Sequence, residues 1–532
     1  MDILHNFALS LSSIIKKLTP KFFFINYFLP AFSGILLFLA FPKPELSTLA
    51  WAALLPLFYS ITAADTKLRA ICSGLITGFI FFFGTQYWIY HSINHFGGIP
   101  FILSIIIVFV LCLYQSLYIS VFALMFHLIG KRRSIRGACY STPFIWVSLE
   151  YLKGIFLTGF PWSFLGYSQY KFIPLIQIAD ITAVYGISFL IVFFNCALYL
   201  TFFENNYTLK KNPLKKLKPI IIASVIFILA IVYGLKKQPS LNYTEKVTVT
   251  LVQGNIPQEM KLSRDYTDKI INTYETLTLE NTPDNTDLVV WPESALPFYF
   301  MSDRKYTDDF VKFQKYLGKS LLFGTDLIRG RKGKSLILTN SAVLLGKDGK
   351  IDYVYDKIHM VPFGEYVPLR KLLFFVDKLV GSTGEFSPGR DFVSGRAEFG
   401  SFGTHICYEI IFPDLVRRFY INGGDFIVTI SNDAWFGDTS GPYQHFAIAV
   451  LRAVENGKYL IRATNSGISA IVGPKGGILK KTSLFERVTL TGDIYKSAGG
   501  VTFYTVFGDV FAYSCLIYSV FITAFLIVKR RR

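Results

Sequence analysis

Long apolar segments alternate with short polar loops up to about Leu235, and one more apolar segment lies near the C-terminus. A helix that crosses a bilayer needs about 20 mainly apolar residues. The pattern therefore predicts a multi-span α-helical membrane protein with eight transmembrane helices. The eight segments are Phe22–Phe41, Leu46–Ala63, Leu68–Tyr90, Pro100–Ile129, Ala138–Leu157, Ile173–Phe203, Pro219–Leu235 and Phe503–Val528.

Between the seventh and eighth apolar segments, short apolar strands alternate with helical stretches, which indicates a layered α/β domain. We expect a membrane domain over residues 1–242, an α/β domain over residues 243–496, and a last transmembrane helix with a basic tail over residues 497–532. The predicted strands are Val247–Gln253, Leu288–Trp291, Ser320–Phe323, Leu336–Leu345, Ile351–Tyr355, Phe426–Ser431, Leu460–Thr464 and Ser469–Val472. The predicted helices are Ser263–Glu280, Asp303–Leu317, Asp414–Asn422 and Pro442–Asn456.

Composition agrees with a membrane protein, because 52% of the residues are hydrophobic and the mean hydropathy is +0.42. The formal net charge is +18, from 54 basic and 36 acidic residues. In a soluble protein this charge would suggest a nucleic-acid partner. The basic residues instead cluster beside the apolar segments, as at Lys131–Arg133 and Lys529–Arg532, and no zinc-finger or RNA-binding pattern accompanies them. We expect no nucleic-acid partner.

The charge of the loops predicts the orientation in the membrane, because cytoplasmic loops carry an excess of Lys and Arg. The N-terminal segment, every second loop and the C-terminal tail are basic, whereas the intervening loops carry few basic residues. Both termini are therefore expected in the cytoplasm, and the α/β domain on the outer, periplasmic face of the cytoplasmic (inner) membrane. The stretch Phe7–Ile15 does not resemble a cleavable signal peptide, because no small-residue cleavage site ends it.

The chain contains six cysteines, of which Cys407 alone lies in the α/β domain. The domain can therefore form no internal disulfide or Cys-based metal site. The seven histidines show no metal-ligand spacing, and neither a metal nor an organic cofactor is expected. Cys407 follows the apolar stretch Phe402–Ile406 and precedes Tyr408 and Glu409. A cysteine in a core strand is usually inert packing, and this interpretation stays open on the thiol alone.

Two other strands end in the groups that a thiol nucleophile needs, namely Glu293 and Lys357. A carboxylate can remove the thiol proton during attack and return it to the leaving group. An ammonium, together with the Tyr408 backbone N–H, can stabilise the oxyanion of a tetrahedral intermediate. We therefore interpret Glu293, Lys357 and Cys407 as a catalytic set. The alternative for the two charged residues is a surface ion pair.

The order Glu293, Lys357, Cys407 resembles the Glu-Lys-Cys triad of the nitrilase superfamily, and this resemblance covers residues 247–494. It implies an αββα sandwich for the α/β domain. Further blocks resemble the membrane-embedded branch of that superfamily, the bacterial apolipoprotein N-acyltransferases, so that the resemblance covers nearly the whole chain. These blocks are Phe38–Pro42, Gly159–Trp162, Val252–Gln258, Val361–Pro368, Ser431–Gly437 and Arg462–Asn465.

The resemblance implies a two-step acyl transfer. Cys407 would attack an ester of a membrane glycerophospholipid, which gives a thioester and a released lysophospholipid. The α-amino group of an S-diacylglyceryl-cysteine at the start of an apolipoprotein would then take the acyl chain as an amide. The expected partners are thus a phospholipid acyl donor and a diacylglyceryl-apolipoprotein acceptor, and a monomer is expected.

Four further residues are candidate supporting groups. Glu365 would orient the lysine or the attacking amine, although an exposed loop acid is the alternative. Tyr408 and Glu409 would position substrate, with backbone shaping as the rival role, and Trp435 would line the acyl or lipid entrance unless it is ordinary packing. The chain departs from the family at Leu262, where the best-known member has a functional tryptophan, which puts acceptor positioning by this loop in doubt.

Two alternative functions remain. The first is a membrane-tethered nitrilase-type amidase, which would use the same triad with water as the acceptor. The second is a transporter or assembly scaffold that carries an idle nitrilase-like domain, against which the complete triad argues.

Overall fold

The computed structural model describes residues 19–204, 213–237, 243–261, 263–333, 335–362, 364–366, 385–497 and 500–528. The predicted departure at Leu262 and the basic tail Lys529–Arg532 lie outside the described residues. The N-terminal part of the structure is a bundle of helices, and the following part is a sandwich of two β-sheets.

The helices of the bundle begin and pack as their sequences dictate. Side-chain hydroxyls of Thr66 and Ser134 cap two of them by accepting hydrogen bonds from backbone N–H groups of the first turn. A Cβ atom at Gly74 would lie 2.5 Å from the carbonyl oxygen of Ile119 on a neighbouring helix, so glycine permits that close approach. The helices are α1 (Pro20–Leu39), α2 (Leu55–Ala63), α3 (Lys67–Gln86), α4 (Phe101–Arg132), α5 (Ile135–Ile155), α6 (Ala179–Phe202) and α7 (Pro213–Lys236).

Within the described residues, six helices are long and apolar enough to cross a membrane, namely α1, α3, α4, α6, α7 and a final helix at Val510–Ile527. The predicted span Leu46–Ala63 is divided into a 3-10 helix, Ser47–Trp51, and α2, which has a proline in its first turn. The predicted span Ala138–Leu157 is the continuous helix α5, which is less apolar because it includes the buried residues Glu150 and Lys153. The protein is therefore a multi-pass membrane protein, and the count of eight spans stays a prediction.

Thirteen strands form the sandwich in the described part of the chain. They are β1 (Tyr243–Gln253), β2 (Leu288–Val290), β3 (Ser320–Lys332), β4 (Ser335–Leu345), β5 (Ile351–Asp356), β6 (Glu385–Phe386), β7 (Ser394–Ala397), β8 (Gly400–Ile406), β9 (Phe426–Ser431), β10 (Tyr459–Thr464), β11 (Ala470–Val472), β12 (Ile478–Lys481) and β13 (Val488–Ser497). The accompanying helices are α8 (Thr267–Asn281), α9 (Arg304–Leu317), α10 (Pro413–Arg418) and α11 (Gly441–Asn456), and α12 (Val510–Val528) follows.

The first sheet has the strand order β13-β1-β2-β3-β4-β5, with β6 beside β4, and the second has the order β12-β11-β10-β9-β8-β7. Strands β1, β2 and β3 are parallel, as are β8, β9 and β10. Parallel neighbours require crossover connections. Helices α8 and α9 connect the strands of the first set, and α10 and α11 those of the second.

Apolar side chains fix the order of these layers. Val249 on the first sheet and Val428 on the second belong to one buried cluster, so the two sheets share an inner core. Val289 belongs to a separate cluster that contains Ile270 and Tyr274 of α8, so this helix covers the outer face of the first sheet. The predicted αββα arrangement therefore describes the domain.

Helix α11 joins the sandwich to the membrane bundle. All but one residue of α11 are buried, because one side faces the second sheet and the other faces α6. The Glu455 carboxylate accepts a hydrogen bond from the backbone N–H of Val184 on α6 at 3.1 Å. Arg452 donates to the phenolic oxygen of Tyr167 at 3.0 Å. The outer helical layer of the sandwich is thus also the layer that rests on the bundle.

The predicted strands and helices of the domain are confirmed, with differences at their ends. The strand that was expected at Ser320–Phe323 extends to Lys332, because Gly330 and Arg331 continue its pairing with β4. The helix that was expected at Asp414–Asn422 is the shorter Pro413–Arg418. Gly423 and Gly424 follow with positive φ angles, and they end this segment before β9.

Candidate active site

Cys407 lies directly after β8 and begins a 3-10 helix, Cys407–Ile411. Its φ angle is +53°, a left-handed conformation that non-glycine residues rarely adopt and that clusters at functional sites. The residue is half-buried. Burial and the nearby Glu293 carboxylate raise the pKa of the thiol, whereas Lys357 and the Ser431 hydroxyl oppose this shift. The thiol is thus protonated at rest and needs a base at the moment of attack.

Glu293 follows β2 and is 6% exposed. Its Oε1 accepts a hydrogen bond from Asn340 Nδ2 at 2.8 Å, and its Oε2 accepts one from the Asn432 backbone N–H at 2.9 Å. Gly324 on β3 permits this placement, since a Cβ atom there would lie 2.6 Å from the Glu293 Cα. The carboxylate is therefore held from both sheets.

Lys357 follows β5 and is 2% exposed. Its Nζ lies 2.8 Å from Glu365 Oε1 and 3.7 Å from Glu293 Oε1. Burial alone would lower the pKa of Lys357, but Glu365 and Glu293 together raise it above its ordinary value. The side chain is therefore a permanent cation. Glu365 also accepts hydrogen bonds from Asn340 Nδ2 at 3.0 Å and from the Val361 backbone N–H at 2.7 Å, so it is not a free loop acid.

The structure brings the three predicted catalytic residues together. Lys357 Nζ lies 3.7 Å from Glu293 Oε1, and both charges act on the Cys407 thiol. Glu365 adjoins the lysine, as predicted for a residue that orients it. The catalytic roles of these residues stay predictions.

The Glu409 carboxylate links the start of the 3-10 helix Cys407–Ile411 to the loop that follows Lys357 by hydrogen bonds. Its Oε2 accepts a hydrogen bond from the Ile406 backbone N–H at 2.8 Å. Its Oε1 accepts hydrogen bonds from the backbone N–H groups of Ile358 and His359, at 2.7 and 3.1 Å, and from the Tyr355 hydroxyl at 2.8 Å. The buried carboxylate thus meets four donors. This geometry favours the backbone-shaping interpretation over direct substrate contact.

A Glu409→Gln substitution should therefore destabilise the protein. The amide nitrogen would face at least one of these N–H groups, and a buried donor without a partner costs about 1–3 kcal/mol. A lower midpoint of thermal unfolding in detergent is the expected result. The exposed Glu398→Gln is the matched control, since the Glu398 side chain is 86% exposed. Equal midpoints for the two variants would contradict the role of Glu409 as a tie between the loops.

Tyr408 and Trp435 both contact the membrane part of the chain. The Tyr408 hydroxyl donates to the Gly159 carbonyl oxygen at 3.3 Å, and its ring stacks on Phe160 with a centroid distance of 6.4 Å. The Trp435 ring packs edge-on against Phe96 at 5.2 Å. Both side chains lie where the sandwich meets loops of the bundle.

Sequence reasoning missed several polar residues around the triad. Asn340 donates to both Glu293 and Glu365, and it lies in the middle of β4, between Thr339 and Ser341. Lys261 donates to the Glu293 backbone carbonyl at 3.3 Å, and burial lowers its pKa to about 7. Burial, Glu365 and Glu293 raise the pKa of the neighbouring Asp326 to about 7. The available signal was the Thr-Asn-Ser run within β4, since three polar residues in a buried strand need partners.

Comparisons with known proteins cover both parts of the chain. The family profile described as apolipoprotein N-acyltransferase N-terminal domain matches residues 33–197, and the one described as carbon-nitrogen hydrolase matches residues 248–501. The apolipoprotein N-acyltransferase of Geobacter metallireducens is 39% identical over 492 residues, which cover 92% of this chain and 93% of that protein. The apolipoprotein N-acyltransferase of Wigglesworthia glossinidia brevipalpis is 35% identical over 495 residues, which cover 90% and 95% of the two chains.

Among solved structures, Saccharomyces cerevisiae Nit3, a member of branch 10 of the nitrilase superfamily, aligns with 21% identity and a TM-score of 0.36, over 48% of this chain and 92% of that one.

The second profile and the two-sheet sandwich place the α/β domain in the class of carbon-nitrogen hydrolases. Within that class, the helices that precede the domain and the relatives that match nine-tenths of the chain define a narrower group. The chain belongs to the apolipoprotein N-acyltransferase family, which confirms the resemblance found in the sequence.

Proposed function

We propose that this protein transfers a fatty acyl chain from a membrane glycerophospholipid to the N-terminal amine of S-diacylglyceryl-cysteine on apolipoproteins. The observation that carries the proposal is the placement of the Cys407 thiol beside a buried carboxylate and a buried ammonium, within a chain of this family. A thiol so placed can form a thioester, and a thioester is reactive toward amines.

In the first step, the Cys407 sulfur forms a bond to the carbonyl carbon of the phospholipid ester. Glu293 takes the thiol proton and returns it to the alkoxide oxygen of the departing lysophospholipid. The oxyanion lies against Lys357 Nζ and the Tyr408 backbone N–H, which stabilise charge that develops only in the transition state. Glu293 is then a carboxylate again, ready for the second step.

In the second step, the amine of the acceptor attacks the thioester carbonyl carbon. Glu293 accepts a proton from the amine and delivers it to the departing Cys407 sulfur, so that the thiol is restored and an amide has formed. Lys357 stabilises the second oxyanion as it did the first. Glu365 keeps the ammonium in place, because its Oε1 lies 2.8 Å from Lys357 Nζ.

Both substrates are confined to a bilayer, which accounts for the membrane bundle. We propose that eight segments cross the cytoplasmic membrane, that residues 243–496 face the periplasm between the seventh and eighth, and that both termini are cytoplasmic. The contacts of Tyr408 and Trp435 with the outer loops of the bundle support an opening toward the lipid at this junction. A monomer contains every residue that the proposed mechanism uses.

Mass spectrometry of the purified protein after exposure to phospholipid alone tests the proposal. The expected result is an added acyl mass on the intact chain, which hydroxylamine removes and which is absent from Cys407→Ala. Addition of a diacylated lipopeptide should then discharge the thioester and give an N-acylated peptide. Release of free fatty acid, with no acylated peptide, would contradict the transferase and support the amidase alternative.

A further inference from the structure

A buried charged cluster contacts the backbone of the nucleophile, Cys407, and has no role in the mechanism above. Its members are Asp433, His445 and Arg462, whose side chains are at most 1% exposed. Arg462 donates to Asp433 Oδ2 at 2.7 Å, and the Ser431 hydroxyl donates to Asp433 Oδ1 at 2.7 Å. Arg462 and His445 hold the pKa of the Asp433 carboxyl below its usual range despite its burial. Buried charged groups need partners of opposite charge or hydrogen bonds. Here Asp433 and Arg462 pair with each other, and both contact the imidazole of His445.

The imidazole of His445 connects this cluster to the peptide group that follows the nucleophile. Its Nδ1 lies 3.0 Å from Asp433 Oδ1 and 3.0 Å from an Arg462 nitrogen, and its Nε2 lies 3.2 Å from the carbonyl oxygen of Cys407. A carbonyl oxygen can only accept, so we assign the proton to Nε2, as in the charged ring and in the neutral tautomer whose Nδ1 accepts from Arg462. His445 is therefore a donor to the Cys407 carbonyl oxygen.

That carbonyl oxygen and the Tyr408 N–H belong to the same peptide group. A hydrogen bond to the oxygen of a peptide polarises the group and makes its N–H a stronger donor. It also fixes the plane of the peptide, which matters because Cys407 holds an unfavourable φ angle of +53°. The Tyr408 N–H is the backbone donor that the proposed mechanism directs at the oxyanion.

We infer that His445 is a positioning residue that aims and strengthens the Tyr408 backbone N–H as an oxyanion donor, through its hydrogen bond to the Cys407 carbonyl oxygen. Asp433 and Arg462 hold the ring from its Nδ1 side. Trp162, from the membrane part of the chain, stacks on the ring at a centroid distance of 5.6 Å. This inference rests on the proposed function, since it assigns a part in the acylation of Cys407.

The test compares His445→Phe and His445→Gln with the wild-type protein in detergent that contains phospholipid. Phenylalanine keeps an aromatic ring against Trp162 but has no N–H to donate, whereas glutamine has a donor but no ring. The rate of Cys407 acylation is followed by mass spectrometry of the intact chain. The rate of Cys407 alkylation by iodoacetamide is measured in parallel on the peptide that contains it, because alkylation needs the thiolate but forms no oxyanion on the reagent.

If His445 acts through the Tyr408 N–H, acylation should slow by roughly tenfold to a hundredfold in His445→Phe, somewhat less than the effect of removing an oxyanion donor outright. Alkylation should change by less than about threefold. Acylation in His445→Gln should be faster than in His445→Phe, because the amide can donate to the Cys407 oxygen. If His445→Phe does not fold, His445→Leu takes its place.

The matched control is His405→Leu. His405 is fully buried on β8, two residues before the nucleophile, and neither of its ring nitrogens has a hydrogen-bond partner among the described residues. This variant should acylate at the wild-type rate.

Equal acylation rates in wild type and His445→Phe would overturn the inference about His445 but not the proposed function. So would a parallel loss of acylation and alkylation, or a Gln variant slower than the Phe variant, since those results follow from packing. A wild-type protein that acquires no acyl group would overturn the proposed function, and the inference with it.

Discussion

The Cys407→Ala protein should form no acyl-enzyme and should transfer no acyl chain to a lipopeptide, with kcat reduced by roughly 10⁴-fold or more. The reason is that this sulfur carries the acyl chain between the two proposed steps, so neither the thioester nor the amide can form without it. Other residues that bind the transition state cannot substitute for it, because they hold the oxyanion and not the acyl group. The loss is measured as N-acylated lipopeptide per unit time, with phospholipid as the donor.

Cys72→Ala is the matched control for this prediction. Cys72 is an exposed thiol on α3, in the membrane bundle and outside the sandwich that carries the proposed site. Its replacement should leave the transfer rate unchanged. Acyl transfer by Cys407→Ala at even a tenth of the wild-type rate would contradict the thioester mechanism. It would indicate direct attack of the amine on the phospholipid.

The sequence predicted the neighbourhood of the candidate site well, for a reason that lies in strand topology. Glu293 and Cys407 each follow a strand in a parallel set. Lys357 follows β5, which runs in the same direction as β3 because β4 is antiparallel to both. Carboxyl ends of strands that run in one direction meet at one edge of a sheet. The hydrogen bond from the Asn432 N–H, after β9, to Glu293, after β2, shows that these edges of the two sheets lie together. The pattern of apolar strands that end in reactive groups was therefore enough to identify the three residues as candidates for one site.

The same reasoning could not find Asn340 or assign Glu409. Asn340 lies inside a strand, so the end-of-strand signal does not apply to it. Glu409 lies next to the nucleophile in sequence, but its carboxylate points toward backbone groups of the neighbouring loop. The direction in which a side chain leaves a tight turn depends on the backbone angles of the turn, and the φ angle of +53° at Cys407 cannot be inferred from the sequence pattern.

The fold was predictable where hydrophobic residues recur with a single period along an element. It was less predictable where an element packs against two different parts of the protein. Each strand of the sandwich core is buried on both faces or alternates, and these patterns gave the strands. Helix α11 is different, because it is buried against a sheet on one side and against α6 on the other, so even polar residues such as Arg452 and Glu455 are buried. Its role as the layer between the sandwich and the bundle required the three-dimensional structure.

Replacing Lys357 by methionine should lower the transfer rate by roughly 10³-fold or more. Loss of one oxyanion-stabilising donor costs about 10²- to 10³-fold. The substitution also leaves Glu293 and Glu365 without the cation that lies 3.7 and 2.8 Å from their Oε1 atoms. The site would then hold two closely spaced carboxylates, both bonded to Asn340, without a paired cation, which is an unfavourable arrangement.

Lys357→Met should also change the reactivity of the Cys407 thiol. Because Lys357 lowers the pKa of Cys407, its removal should raise that pKa further and slow alkylation of Cys407 by iodoacetamide at neutral pH. Lys357→Arg should not restore transfer, since the planar guanidinium is larger and would not fit a cavity shaped around one ammonium.

Lys347→Met is the matched control for Lys357→Met, because Lys347 lies in the turn between β4 and β5 and its side chain is 55% exposed. It should transfer acyl chains at the wild-type rate. The two readouts on Lys357→Met separate a structural role of the lysine from its proposed chemistry. A variant that folds, alkylates at the wild-type rate and still transfers within tenfold of the wild type would show that the ammonium stabilises neither the oxyanion nor the carboxylate pair.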